Sequence, residues 1–395
     1  MSARALSLRY SLLIGGIFLV LGLFLPFWPV LLEARGLDAG EIGVLLAATT
    51  WVKIVAVPLW GRLADRRGDA RSVLLLLGLL SLLAYLWLGF NAAFLLLLLG
   101  HLLLGIAFNP LIPLTDSAIL QAAPKQGIDY ARIRLWGSVT FILGNLVGGE
   151  LVGGELVGIA QGVWFIAAIA ASLLLVIGAA FSLPKVPRRV KPSTAGTWRL
   201  LLSDRRFLAL VLVAGCFQSS HAAYYAVSSL AWLAEGHSES TIAWLWAEGV
   251  LVEILLFLVG SRLLLRFGPY RLLLIAGLAG VLRWSGTALS AELPVLVAMQ
   301  SLHALTFAAA HLGAVTLIAR IVPSEAAASG QALYAALQGG IMMGLALLLA
   351  GFLFEISPAS SFLAMAGLSA VGFLLALVWH DRLALPPRSE SAAAA

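Results

Sequence analysis

The sequence predicts an all-α membrane protein whose twelve transmembrane helices form two pseudo-symmetric six-helix lobes. Three observations lead to this prediction. Hydrophobic residues make up 61% of the 395-residue chain and charged residues only 11%, apolar stretches of membrane-spanning length occur throughout, and a motif in the first half returns in the second. No soluble domain could bury so many apolar side chains in its core, so the composition indicates a lipid environment.

The apolar stretches follow one another along the whole chain, and each has about the 20 residues that a bilayer crossing requires. We call them spans one to twelve. They cover about residues 8–32, 41–60, 72–90, 94–121, 133–158, 161–183, 207–234, 240–260, 272–290, 293–319, 327–354 and 360–380. The first span is too long for a signal peptide and lacks a small-residue cleavage site, so we expect it to be retained.

A basic motif between spans two and three recurs two hundred residues later. Residues 61–71, GRLADRRGDAR, return as residues 261–271, SRLLLRFGPYR. The register holds without a gap further upstream, because Gly36 and Ile42 return as Gly236 and Ile242. The chain is therefore predicted to be a duplication.

The duplication predicts four segments. Residues 1–183 form the N-terminal six-helix lobe and residues 207–384 the C-terminal one. Residues 184–206 are a basic, proline-containing cytoplasmic linker, and residues 385–395 are expected to be a disordered tail. Duplicated lobes in a membrane chain are typical of transporters.

Orientation follows from the 25 lysines and arginines. Nearly all of them fall at the termini and in the loops after even-numbered spans, while acids such as Glu33 and Asp38 lie on the other side. The positive-inside rule predicts that both termini are cytoplasmic, and we expect a multi-pass protein of the cytoplasmic (inner) membrane. The net charge of +6 is then a topology signal and implies no nucleic-acid partner.

Residues 61–68, GRLADRRG, resemble the loop signature of the major facilitator superfamily. Further blocks resemble the phenylpropionate permease group within it, which is similar to lactose permease. They are GLFLPFWPVLLEARGL at 22–37, NPLIPLTDSAI at 109–119, YARIRLWGSV at 130–139, QSSHAAYYAVS at 218–228, WLWAEGVLVEILLF at 244–257 and GVLRW at 280–284. The resemblance implies the major facilitator fold and proton-coupled import, by alternating access, of an aromatic carboxylate such as 3-phenylpropionate.

The loop signature also implies a gating role. By resemblance, the glycine permits close helix approach, and Asp65 caps and pairs with arginines to lock the outward-facing state. The gating-loop residues are Gly61, Asp65, Arg66, Gly68 and Arg71. The second copy has Leu265 in place of the acid, so the lock would be asymmetric. A positive-inside loop without a gating role is the alternative.

Few ionisable residues lie inside the spans, where an unpaired charge costs about 2.5–3.5 kcal/mol or more. Lys53 and Glu253 occupy the same position of the repeat, and Arg283 lies half-way along span nine. Lys53 and Glu253 could neutralise each other in one conformation and separate when substrate or a proton arrives. Alternatively each pairs within its own lobe, for instance Glu253 with Arg283.

Span ten carries Gln300, His303, Phe307 and His311 at intervals of three, four and four, which places them on one helical face. The similarity to lactose permease implies that Glu253, Arg283 and either histidine serve proton coupling. A hydrogen-bonded packing role is the alternative for each histidine.

Asp116 in span four and Arg134 in span five form a second candidate pair. Lactose permease has an acid and an arginine on these helices that bind its sugar, and a planar guanidinium suits a carboxylate. Arg134 could instead be a cytoplasmic anchor. We assign proton coupling to Glu253, Asp116, His311 and His303, and substrate binding to Lys53, Arg134, Arg283, Trp28, His221, Tyr225 and Gln338. The aromatic residues among them would stack a phenyl ring, although interfacial belts use the same types.

Three functions remain open: uptake of an aromatic acid, proton symport of a neutral sugar or nucleoside, and export by antiport. The sequence contains no GxxxxGK phosphate loop and a single cysteine, Cys216, so we expect no enzyme activity, no cofactor and no metal site. The expected partners are a small-molecule substrate, protons and the lipid bilayer, and we expect the chain to function as a monomer.

Overall fold

The computed structural model describes residues 2–153, 159–184, 197–323 and 326–384. In these ranges, eleven helices are long and apolar enough to cross a membrane. One of them, Glu239–Leu289, is 51 residues long, and its backbone leaves the helical conformation at Gly268, just before Pro269. It therefore contains two predicted spans, and the twelve-helix, all-α prediction is confirmed.

We number the membrane helices in chain order. They are α1 Ala3–Glu33, α2 Ala39–Arg67, α3 Ala70–Phe90, α4 Phe94–Pro124, α5 Tyr130–Gly153, α6 Ile159–Ser182, α7 Arg205–Ala234, α8 239–267, α9 269–289, α10 Leu293–Ile321, α11 Ser329–Phe354 and α12 Pro358–Val378. Two short helices, Thr197–Ser203 and His380–Leu383, precede α7 and follow α12.

Contacts between Cα atoms divide the chain into two compact units. Unit 1 comprises Met1–Lys191 with Tyr225–Ala247, and unit 2 comprises Pro192–Tyr224 with Glu248–Ala395. Unit 1 thus contains α1 to α6 together with the end of α7 and the start of α8. Most of the predicted linker, 185–196, and the predicted tail, 385–395, lie outside the described residues, and the lobe boundaries remain a prediction.

The repeat is visible in the backbone. Gly36 and Gly236 have φ angles of 89° and 88°, and Gly68 and Gly268 have φ angles of 62° and 73°. Glycine is favoured at positive φ because it has no Cβ atom. Glycines with positive φ therefore recur two hundred residues apart, although ψ is 12° at Gly68 and 163° at Gly268.

The helix that follows the first of these glycines is capped in both copies. Asp38 Oδ1 accepts a hydrogen bond from the backbone N–H of Glu41 at 2.7 Å. At the equivalent place Ser238 Oγ accepts one from the backbone N–H of Thr241 at 3.2 Å. Short polar side chains satisfy the free N–H groups of a first helical turn, so α2 and α8 begin in the same way.

Arg35, in the connection between α1 and α2, binds the end of α3. Its guanidinium donates hydrogen bonds to the backbone oxygens of Leu88 at 2.6 Å, Gly89 at 3.1 Å and Asn91 at 3.0 Å. A cation at a helix C-terminus satisfies free carbonyl groups and complements the helix dipole. Arg35 thus joins the end of α1 to the end of α3.

Glycines bring α1 and α5 close together in unit 1. A Cβ atom at Gly144 would lie 2.7 Å from the backbone oxygen of Leu19, and one at Gly148 would lie 2.7 Å from the ring of Phe27. Small residues allow membrane helices to approach in this way. In addition, α1 packs on α6, α3 packs on α4 and α6, and α2 packs on α4.

In unit 2 the first half of α7 packs against α10, α11 and α12. α7 turns at Ser220 and His221, between helical segments Arg205–Ser219 and Ala222–Ala234. α10 and α11 each contain a π-helical segment, Ala304–Ala309 and Leu337–Met342 respectively. These wide turns were not predicted from the sequence, and such turns are frequent at functional sites.

Candidate functional site

Arg283 in α9 is the centre of a buried polar cluster in unit 2, with only 1% of its surface exposed. One guanidinium nitrogen donates to His303 Nδ1 and to Thr306 Oγ1, both at 2.9 Å, and the other donates to Gln300 Oε1 at 2.5 Å. The guanidinium carbon also lies 5.1 Å from the ring centre of Tyr224. A charge this deeply buried is tolerated only when its donors are satisfied.

His303 links this cation to an acid. Its Nε2 atom lies 3.5 Å from Glu253 Oε2 in α8. Arginine can only donate hydrogen bonds, so Nδ1 of His303 must accept from Arg283. In the neutral imidazole the proton is then on Nε2, which faces the carboxylate. A carboxylate, an imidazole and a guanidinium therefore follow one another from α8 through α10 to α9.

His221 in α7 belongs to the same cluster but is held differently. Its Nδ1 atom lies 3.2 Å from the backbone oxygen of Phe217 and 3.1 Å from that of Gln218. Carbonyl oxygens only accept, so Nδ1 carries the proton and Nε2 accepts from Thr306 Oγ1 at 3.1 Å. These contacts favour one neutral tautomer, and no carboxylate is among them.

The predicted stripe of α10 is largely brought together. Gln300 and His303 both bind Arg283, and Phe307 stacks on His303 with ring centres 5.4 Å apart. His311 lies near Phe257, with ring centres 6.3 Å apart, and within electrostatic reach of Glu253. The π-helical segment begins directly after His303. Within the described ranges, no group of three His, Cys, Asp or Glu side chains is arranged to hold a metal ion.

A second polar group lies in unit 1, where α1, α4 and α5 meet. Asp116 in α4 forms a side-chain hydrogen bond with Tyr130 and interacts electrostatically with Arg134. The Arg134 guanidinium lies 4.1 Å from the ring centre of Phe18 in α1. Arg134 thus contacts α1, and its direct pairing with Asp116 stays a prediction.

Lys53 lies half-buried in α2. Among the described residues of unit 1, it has no hydrogen-bond or ion-pair partner. Its predicted counterpart, Glu253, belongs to unit 2. An amine without a partner inside its own unit is chemically able to meet an anionic ligand, although that role stays a prediction.

Trp28 is completely buried in unit 1. Its indole N–H donates to His101 Nε2 at 3.0 Å, and His101 Nδ1 lies 2.8 Å from Thr49 Oγ1. Thr49 in turn donates to the backbone oxygen of Leu45 at 3.0 Å. The ring of Trp28 also stacks on that of Phe24. Protein side chains therefore surround Trp28 in this structure, and its stacking on a substrate ring stays a prediction.

His101 was not predicted from the sequence as a functional or structural polar residue. It stands alone in an apolar stretch of α4, so no polar stripe in the sequence marks it. Its two partners lie 73 and 52 residues away along the chain, and only the fold brings them together.

The remaining predicted substrate residues are separated. Tyr225 lies in unit 1, where its ring centre is 6.2 Å from that of Trp246, whereas His221, four residues earlier, lies in unit 2. Gln338 lies half-buried in the π-helical segment of α11. Their roles as substrate contacts stay predictions.

Asp65 is not the residue that caps α3, and the capping role expected of it stays a prediction. Asp65 lies inside the last turn of α2, whereas the residue before the first turn of α3 is Asp69. Asp69 Oδ1 accepts a hydrogen bond from the backbone N–H of Arg71 at 3.0 Å. Asp69 therefore occupies the N-cap position of α3. The ion pairing and gating role of Asp65 and Arg66 stay predictions.

The close helix approach expected at Gly61 is not seen among the described residues of this structure. No described atom from outside its own helix lies within 4 Å of the position that a Cβ would occupy there. Gly68 instead ends α2 with a positive φ. The guanidinium carbon of Arg71 lies 5.0 Å from the ring centre of Phe181, so Arg71 contacts α6.

Comparison with known families decides the identity. A family model described as the MFS_1-like family matches residues 8–364, which is most of the chain. The chain belongs to this family, within the major facilitator superfamily. This transporter is therefore a multi-pass membrane protein that carries small solutes.

Relatives of this transporter differ in what they carry. A protein of Escherichia coli described as a probable 3-phenylpropionic acid transporter is 33% identical over 342 residues, covering 86% of this chain and 88% of the relative. The maltose permease of Geobacillus stearothermophilus is 28% identical and covers 93% of each chain. A solved variant of the nucleoside transporter NupG has a TM-score of 0.81 at 18% identity, covering 95% of this chain and 99% of its own. That likeness supports the fold alone.

Proposed function

We propose that this transporter imports an aromatic carboxylate such as 3-phenylpropionate together with protons, by alternating access. The observation that carries the proposal is the buried sequence of Glu253, His303 and Arg283 in unit 2, with contacts of 3.5 Å and 2.9 Å. Titratable groups inside a membrane protein commonly serve proton relays. The relative described as a probable 3-phenylpropionic acid transporter supports the choice of substrate.

In the proposed coupling step, Glu253 gains and loses the transported proton. The ionised carboxylate attracts the N–H of His303, whose other nitrogen accepts from Arg283. A proton on Glu253 removes that attraction, so His303 and Arg283 are freer to rearrange. Because an uncompensated charge is costly in the membrane, protonation changes the relative stability of the conformations. His311, within reach of Glu253, is the second histidine that we propose takes part in proton transfer.

We assign the substrate carboxylate to Arg134 in unit 1. The planar guanidinium can donate two parallel hydrogen bonds to a carboxylate, and it lies over the ring of Phe18. Asp116 balances the charge of Arg134 when no substrate is present. A substrate anion would add a negative charge, and Asp116 Oδ1 is buried without a hydrogen-bond partner among the described residues. Protonation of Asp116 on substrate binding would restore the balance, and Lys53 is the second candidate cation.

Proton symport of a neutral sugar is the second candidate function, since the maltose permease matches this chain along nearly its whole length. A neutral substrate needs no cation at its binding site. Arg134→Gln, Lys53→Gln and Arg283→Gln separate the two cases, because a carboxylate should lose affinity in at least one variant. Normal accumulation in all three would reject the carboxylate.

The test is uptake of labelled 3-phenylpropionate into proteoliposomes with and without an inward proton gradient. Protein-free vesicles are the necessary control, because weak aromatic acids cross lipid unaided. Saturable, protein-dependent accumulation driven by the gradient is expected. Folded protein without any uptake would move the assignment to a neutral solute, and accumulation driven only by an outward gradient would indicate export.

We also propose that the transporter functions as a monomer in the cytoplasmic membrane, with both termini in the cytoplasm. The distribution of lysines and arginines supports this orientation. Fusion of a reporter that is active only in the cytoplasm to the C-terminus tests it, and the mass of the purified protein in detergent tests the oligomeric state.

A further inference from the structure

Asn145 in α5 is fully buried, and neither its amide oxygen nor its amide nitrogen has a hydrogen-bond partner among the described residues. An amide that makes no hydrogen bond inside a membrane protein is costly. A buried polar group without a partner in a native structure calls for an explanation, and a functional role is one of them. The proposed mechanism gives Asn145 no role.

Asn145 shares a helical face with the proposed carboxylate anchor. It follows Arg134 by eleven residues, which is about three turns of an α-helix. Phe141, itself nearly buried, lies between them on that face. The adjacent face carries the glycines that pack on α1, namely Gly137, Gly144 and Gly148. One face of α5 thus presents in order a cation, an aromatic ring and an amide.

The amide lies one turn inside a contact between α5 and the start of α8, both within unit 1. A Cβ atom at Gly149 would lie 2.9 Å from the backbone oxygen of Glu239 and 2.8 Å from Ala243. Next to it, Ser240 Oγ donates to Glu150 Oε1 at 2.5 Å. This contact covers the end of the face beyond Asn145.

We propose that Asn145 determines substrate specificity by binding a hydroxyl group on the ring of an aromatic carboxylate, at the end away from the carboxylate. The inference rests on the proposed function, in which Arg134 binds the carboxylate. The guanidinium of Arg134 reaches the level of Gly137, where its nitrogen lies 2.8 Å from the position of a Cβ. From Gly137 to Asn145 the helix rises about 12 Å.

That separation suits a phenylpropionate with a para-hydroxyl group and one hydrogen bond at each end. Phe141 would contact the ring between the two polar ends. The amide can accept from a hydroxyl through Oδ1 or donate to it through Nδ2, so both unpartnered groups are used by one kind of substituent. A ring without a hydroxyl would leave the amide unpaired.

The experiment compares proteoliposome uptake of 3-phenylpropionate and of 3-(4-hydroxyphenyl)propionate. In the wild type we expect a KM about tenfold lower for the hydroxylated acid, since leaving a buried polar group without its partner costs about a factor of ten. Asn145→Leu keeps the branched shape without polar atoms, and we expect it to give equal KM values. Ser81→Ala is the matched control, because Ser81 is also buried in unit 1 without a described partner, and it should keep the wild-type ratio.

A wild type without preference for the hydroxylated acid overturns the inference, as does a preference that survives in Asn145→Leu. If the leucine variant does not reach the membrane, Asn145→Ala is measured, and a retained preference again overturns it. Each of these results is compatible with the proposed function as long as 3-phenylpropionate itself is accumulated. Accumulation of neither acid rejects the proposed function, and the inference with it.

Discussion

The Nδ1 atom of His303 accepts a hydrogen bond from Arg283 at 2.9 Å, and this contact determines which side of the imidazole carries the proton. The proton of the neutral ring is on Nε2, 3.5 Å from Glu253 Oε2. In the proposed mechanism a transported proton neutralises Glu253, and the hydrogen bond between His303 and Arg283 then rearranges. Substitutions in this cluster and in its counterpart in unit 1 should have separable effects on coupling, affinity and stability.

Glu253→Gln should lower gradient-driven accumulation of substrate at least about tenfold, within the usual range of coupling energies. The variant nearly keeps the shape of the side chain but cannot take up a proton. Exchange of external for internal substrate needs no net proton movement and should persist. Both activities can be measured in the same proteoliposomes.

Glu248→Gln is the matched control for that experiment. Glu248 is a second acid of α8, and it accepts a hydrogen bond from Ser301 Oγ at 2.8 Å, which a glutamine can also accept. We expect normal gradient-driven accumulation in this variant. Wild-type accumulation by Glu253→Gln would show that another group carries the proton.

His303→Gln and His221→Gln should have different effects, although both histidines are buried in one cluster. His303→Gln removes the link between Glu253 and Arg283, so uptake should lose its dependence on the proton gradient. His221→Gln disturbs contacts to Thr306 and the α7 backbone, which should destabilise the protein by about 1–3 kcal/mol while gradient-driven uptake persists. Thermal unfolding in detergent and uptake at two gradients distinguish them.

If His221 were essential for coupling and His303 dispensable, the result would contradict the assignment of the proton to Nε2 of His303 and to Nδ1 of His221.

Gly137→Ala should raise the KM for a carboxylate substrate about tenfold. A Cβ at this position would lie 2.8 Å from a guanidinium nitrogen of Arg134, so the flexible side chain would be displaced from the ring of Phe18. Gly178→Ala in α6 is the matched control, since no described atom outside its own helix lies within 4 Å of its Cβ position. That variant should transport normally and gain about 0.5–1 kcal/mol from helix propensity.

An unchanged KM in folded Gly137→Ala would mean that Arg134 does not hold the substrate in the position seen here.

His101→Leu should destabilise unit 1 by about 1–3 kcal/mol, because it leaves the buried indole N–H of Trp28 without an acceptor. The dependence of uptake on the proton gradient should not change, since Trp28 and Thr49 hold His101 in one tautomer away from any described carboxylate. Thermal unfolding and uptake by the same preparation measure both effects. Loss of coupling without loss of stability would give His101 a role in proton transfer instead.

The membrane helices and the repeat can be read from the sequence alone. Each bilayer crossing is encoded locally by a run of apolar residues, and a position with positive φ by a glycine, so Gly36 and Gly68 can be matched with Gly236 and Gly268 by sequence position. Spacing along one helix also groups the polar stripe of α10 correctly, because an α-helix places residues three and four apart on one face. The π-helical segments of α10 and α11 cannot be predicted in this way, since no residue type marks them.

The partners of the polar residues depend instead on the tertiary fold. His221 and His303 look alike in the sequence, but carbonyl oxygens surround Nδ1 of one and a guanidinium donates to Nδ1 of the other. Trp28 is predicted to meet substrate, yet His101, 73 residues further along, closes it into the protein interior. Asn145 carries no signal in the sequence because its distinction is the lack of a described partner. Partners distant in the chain are set by packing, whereas helices and turns are set by their own residues.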